Sequence, residues 1–190
     1  MLAAVASPSD PVDALNARAR AHGWTFTCDR HLVFDAPQLS TVLALWQSHA
    51  AAERIPARGD FSARDLKQVL QDLIVFDIVQ DGPRTRFRCR IIGSHAAGYL
   101  GEMTGRFLDD ALPPEPYART AACYATVIEA RCPLRFVTRF SLDRINFMSA
   151  EFIGLPLATD GVTPDMVMSV THFRETQRSG PGVTAGANER

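Results

Sequence analysis

The sequence has no close cysteine pair, no long apolar run and no strong excess of charge, and each absence removes a class of protein. Cys28, Cys89, Cys123 and Cys132 are too scattered for the dense framework of a small secreted scaffold. No run approaches the roughly 20 apolar residues that span a bilayer. The apolar start, Met1 to Ala6, has no basic flank and is too short for a signal peptide. A cytoplasmic protein with reduced thiols is the expectation. Net charge is −1, so no overall field directs the chain to nucleic acid or a membrane surface. Lys67 is the one lysine among 20 basic residues, which reads as coding bias before chemistry.

Catalytic signatures are missing too. There is no Gly-x-Ser-x-Gly elbow, no phosphate loop and no dinucleotide fingerprint. His22, His31, His49, His95 and His172 form no His-x-x-x-His pair. Cys28 and His31 lack a second pair within range, so no metal site is expected. Asp109 and Asp110 are adjacent and precede two prolines, which suits a helix terminus. Cys89 and Cys123 fall on expected dry faces, where a thiol is inert rather than nucleophilic. No catalytic residue is assigned, and an enzyme is not expected.

What is present is the material of one domain. Of the 190 residues 46% are hydrophobic, enough for a core that needs no staple. Residues 1–35 read as an N-terminal extension, loose at first, with a possible short helix over 12–22 stopped by Gly23. Residues 36–174 read as the domain, and the polar segment 175–190 as a flexible tail. Asp35 and Pro37 open a helix to residue 53 with Leu39, Val42, Leu43 and Trp46 on its apolar face. Ser62 to Asp65 reads as a capping box that starts a helix to Gln71. Leu73–Val79 is a nearly all-apolar strand. After the turn residues Asp81-Gly82, Arg84, Arg86, Arg88 and Arg90 alternate with Thr85, Phe87, Cys89 and Ile91, the mark of a strand with one wet and one dry face. A short helix is expected over 94–100, and a long one over 113–131 with the stripe Tyr117, Ala121, Tyr124 and Ile128. Strands follow over 134–142, 146–158 and 165–173. Five strands split around the helices argue an α+β fold with an antiparallel sheet.

This order resembles a PAS domain. Ile55-Pro56-Ala57-Arg58-Gly59-Asp60-Phe61, the Arg86 to Gly93 strand end and the Gly101 to Gly105 turn narrow the resemblance to a bacterial family of stand-alone PAS-like proteins without an output domain. It covers about Leu39 to Phe173. Ser62-Ala63 departs from the Asp-Pro expected after Phe61. The resemblance implies a PAS-like five-stranded antiparallel sheet with helices on one face, plus the N-terminal helical extension. It implies a sensory or regulatory protein in signal transduction, with a cup for a small molecule and an outer face for a protein partner or a homodimer. Output would then pass through contact.

The dry faces supply the ligand-pocket candidates Phe87, Cys89, Ile91, His95, Tyr99, Phe107, Tyr124, Phe136, Phe140 and Phe152. The same residues suit a plain core. His95 reads as a haem ligand, a pocket donor or a helix-start polar residue, and no cofactor is assigned. Arg84, Arg86, Arg88 and Arg90 are the partner-face candidates, with Arg135 and Arg139 as possible additions. They suit an acidic protein partner or an anionic molecule, or a solvated face with cross-strand pairs to Asp77 and Glu151. Arg58 and Asp60 read as a structural clamp on their loop. The competing reading of the whole is an interaction scaffold that dimerises through the N-terminal helices and the sheet, or, further off, a small-molecule enzyme.

Overall fold

The computed structural model describes residues 10–51, 54–141 and 147–176. Helix α1 (Pro11–His22) opens where the Asp10 carboxylate accepts the Val12 N–H at 2.8 Å, and closes at Gly23 in the left-handed region. Strand β1 (Phe26–Asp29) and helix α2 (Pro37–His49) follow. Strands β2 (Leu73–Asp81) and β3 (Arg84–Ile92) form a hairpin in which Asp81 pairs with Arg84. Its loop is therefore Gly82-Pro83. Gly82 has φ +58° and proline holds a negative φ, the order that a type II′ hairpin turn requires. Helices α3 (Ser94–Leu100), α4 (Leu108–Ala111) and α5 (Pro114–Ala130) connect to β4 (Leu134–Ser141), β5 (Phe147–Leu157) and β6 (Met166–Thr176).

All strands pair antiparallel in one sheet of order β1-β4-β5-β6-β2-β3. The segments 73–92 and 134–173 thus share a single layer, and α5 packs on one side of it, as the PAS-like α+β class requires. A sixth strand is added: β1 extends the sheet beyond β4, where the weak alternation of 24–34 had left a hairpin or extended arm open. The second side is covered as well. Leu39, Val42 and Trp46 of α2, with Ile55, Phe61, Leu66 and Val69, bury against Leu73, Val75, Leu155 and Met168. On the α5 side Phe76, Cys123, Tyr124, Val127, Phe136 and Val167 form the other cluster. Helices therefore lie on both faces. A nearly all-apolar β2 is what two dry faces demand.

Three local expectations change. Residues 63–69 are successive turns leading into a 3₁₀ turn at Leu70–Asp72, not an α-helix. The buried residues there, Leu66 and Val69, are three apart, and after one i to i+4 bond from Leu66 N–H to the Ser62 carbonyl the backbone bonds run i to i+3, from Lys67 N–H to the Arg64 carbonyl and from Val69 N–H to the Leu66 carbonyl. The capping box itself does form between Ser62 and Asp65. Asp35 does not cap α2, since no side chain of the adjoining segment bonds the helix start. The buried face of α5 is Ala122, Cys123, Tyr124, Thr126 and Val127, turned from the expected stripe, whose Tyr117, Ala121 and Ile128 are half-buried.

Both sheet edges are closed. The Asn16 amide bonds the backbone of Cys28 twice, accepting its N–H at 2.9 Å and donating to its carbonyl at 2.8 Å, so α1 stands in for a strand at the β1 edge. At the other edge Gly105 and Arg106 exchange backbone bonds with Cys89. Most of the loose start expected before Pro11, and nearly all of the tail expected over 175–190, lie outside the described residues.

Candidate functional site

Helix α5 lays one stripe along the sheet. Pro116, Arg119, Thr120, Cys123 and Tyr124 follow the i, i+3, i+4, i+7, i+8 spacing of a single helix face. Opposite them β1, β4, β5 and β6 present Phe26, Thr138, Ala150, Phe152, Thr171 and Phe173. Tyr99 and Leu100 from α3 form the side wall, and Leu112 and Pro113 the turn before α5. These surfaces border a half-open cavity of about 310 Å³, the size of a small-molecule site.

Its walls are aromatic and its polar groups few. Tyr99 stacks on Phe173 with centroids 4.3 Å apart, and Phe152 stacks on the fully buried Phe136 at 4.5 Å. Tyr124 lies between Phe76 and Phe87, and its hydroxyl pairs with Ser169 at 3.2 Å. Burial pushes the Tyr124 phenol and the Cys123 thiol well above their ordinary ranges. Both are therefore neutral groups, not acids or nucleophiles, at physiological pH. Ile74 of β2, with Thr120, Thr138, Thr171 and Arg119, completes the lining.

The pocket candidates divide accordingly. Tyr99, Tyr124 and Phe152 line the cavity. Phe87 and Phe136 stand behind those walls, and Cys89 is buried in the same cluster, its thiol raised by burial to about 11. His95 is beside the site, not in it. Its Nδ1–H donates to the buried Asp72 carboxylate at 2.5 Å, and its ring meets Tyr99 and Phe173 edge-on. Such an imidazole braces the wall, and its position does not offer a haem ligand to the cavity interior. Phe107 sits at the β3 edge under the Arg86 guanidinium, 3.9 Å from its ring centroid. Ile91 is on the opposite face. Val75 pairs with Ile91 but Phe76 pairs with Cys89, so Arg90 is an extra residue and the face alternation slips by one. The Phe140 side chain lies outside the described residues.

Four of the candidate arginines are occupied within the chain. Arg86 binds Asp109 at 2.9 Å and Asp110 at 3.2 Å, and Arg88 and Arg90 share Asp77 at 3.1 and 2.6 Å. Arg135 bridges Asp29 and Glu151. The stripe is thus paired with carboxylates, as the solvated-face reading supposes. Arg84 and Arg139 are exposed. The loop clamp also forms, but with another cation. Asp60 binds Arg54 at 2.7 Å and takes the Ala57 N–H, while Arg58 donates to the Phe61 carbonyl. The Ala57 N–H, then Arg54, hold the Asp60 carboxyl below its usual range.

Among the described residues no three His, Cys, Asp or Glu side chains gather in a metal-binding group, and no helix is long and apolar enough to cross a membrane. Reading by residue type missed Phe26, Arg119, Thr171 and Phe173. The stripe at Pro116, Arg119, Thr120 and Cys123 was visible as a period, but it mixes polar and apolar residues. Phe26 lies in a segment set apart as an extension.

The sequence model of the PAS domain matches residues 34–171. The chain belongs to the PAS domain family. No curated protein and no solved structure matches it. A PAS domain is in general a sensory or regulatory module without chemistry of its own, and the match takes in β2 to β5, most of β6 and all of α5. Only α1 and β1 fall before it. The cavity reaches past both ends of the match, since Phe26 of β1 precedes it and Phe173 of β6 follows it, while the other lining residues lie within it.

Proposed function

We propose that this PAS domain is a sensor that holds a small molecule between α5 and the sheet and passes the signal on by contact with a protein partner. The cavity of about 310 Å³ carries the reading. Aromatic walls there surround a few hydroxyls, which suits an organic ligand that is mostly apolar. Output has a physical route through α3. Tyr99 and Leu100 form a wall of the site, and Leu100 is 38% exposed. Occupancy therefore bears on an element that also faces outward. The neutral Cys123 and Tyr124, and the absence of a nucleophile beside the Asp72–His95 pair among the described contacts, favour binding over turnover.

Native mass spectrometry of the freshly purified protein tests this, beside Ala150→Leu and Ala150→Trp, which fill the cavity from β5. The expected result is a bound small mass in the wild type that falls away in variants whose circular dichroism is unchanged. A wild type without bound mass, and without a thermal shift across a panel of apolar small molecules, would overturn the ligand reading in favour of a scaffold.

A further inference from the structure

We infer that the ligand is a small organic acid, an apolar body carrying one carboxylate that Arg119 holds. This rests on the pocket reading above and adds the class of molecule. Among the described residues Arg119 is the only charged one in the cavity lining, and no aspartate or glutamate joins it there. A cation entering there would meet like charge, whereas an anion would meet a guanidinium with an unfilled fork of donors.

That fork is open by comparison with its neighbours. Arg86, Arg88, Arg90 and Arg135 each have a carboxylate oxygen within 3.1 Å. Arg119 has Glu115 alone among the described residues, at 3.9 Å, with the Glu115 side chain 61% exposed. Such a pair contributes little and yields readily to a better-placed anion. The Arg119 side chain is 24% exposed, so a carboxylate at its tip keeps part of its hydration while the rest of the molecule is buried. The field of Arg119 also reaches inward, where it opposes the upward shift of the Cys123 thiol. Thr120, the next residue of the stripe, adds a hydroxyl-bearing side chain to the same lining. Phe152, Tyr99 and Phe173 then flank the apolar body. The cavity of about 310 Å³ limits that body to one or two rings or a medium acyl chain.

Isothermal titration of the full chain with naphthoate and decanoate, each beside its neutral alcohol, naphthylmethanol and decanol, tests the assignment. The acids are expected to bind at least about tenfold tighter than the alcohols. Arg119→Gln should weaken the acids at least about tenfold, bringing them to the level of the alcohols in the same variant, and Arg119→Lys should restore part of the difference. Equal binding of acid and alcohol by the wild type overturns the carboxylate assignment and leaves the pocket standing. A preference that survives Arg119→Gln overturns the role of Arg119. Binding of none of the four probes overturns the acid and counts against the pocket too.

Discussion

Glu151 does at one point what the local sequence assigns to another residue. Its side chain, on the α2 face of β5, is 7% exposed and receives Arg135 at 2.7 Å. The same carboxylate takes the Asp35 N–H at 3.0 Å and the Ala36 N–H at 3.2 Å, closing the start of α2 from 116 positions away. Asp35 is the cap by rule of proximity, and its own carboxylate instead faces Arg174 at 3.5 Å. The pairing of Glu151 with an arginine was legible, because a carboxylate on a strand beside arginines invites it. Its second role was not, because nothing local marks a partner brought in by the sheet. Glu151→Ala should cost about 3 kcal/mol, since it strands a guanidinium and two N–H groups, and Glu151→Gln roughly half of that, since an acceptor remains. Urea unfolding followed by circular dichroism measures both. An unshifted midpoint in Glu151→Ala would show that water replaces the carboxylate without loss.

At the scale of elements, helices announced by proline and glycine came through the sequence best. Pro37 and Pro114 each lie at the start of a helix, and Gly23 ends one. Strands β2 and β3 were legible through burial on two faces and through strict alternation. The bulge at Arg90 was not, because one extra backbone residue leaves no trace in side-chain type, yet it sends Ile91 to the far side of the sheet. Strand β1 was hidden for another reason. Four residues are too short for a period, and its stability comes from pairing with β4 and from the Asn16 amide. That amide carries an element-level prediction. Asn16→Ala removes two hydrogen bonds from the outer edge of β1 and should lower stability by about 1–2 kcal/mol. Hydrogen exchange at Cys28 should rise well before that at β5 and β6 in the sheet centre. Exchange that rises equally in all strands would mean that β1 does not open separately.

For the whole molecule, the decisive feature is one sheet with a buried cluster on each side. The α5 cluster holds the thiols of Cys28, Cys89 and Cys123, and Cys132 packs against it half-buried. Desolvation raises the Cys28 thiol from its ordinary 9.0 to about 12, and the Cys89 thiol to about 11. Below pH 9 folded and unfolded chains both keep these protons, so their contribution to stability is complete and independent of pH. As pH rises from 9.0 toward about 12 the unfolded chain releases them first, and that contribution is lost. Urea midpoints should therefore hold steady on the neutral side of pH 9 and fall above it, and Cys28→Ala should flatten part of the fall. Reaction with iodoacetamide at neutral pH reads the same burial directly. Cys132, held by Arg30 at 3.0 Å, should label first, and Cys28 and Cys89 only as fast as the whole protein unfolds. Rapid modification of Cys28 in protein whose circular dichroism is intact would show that α1 lifts from the sheet without global unfolding, opening the cavity at its β1 wall.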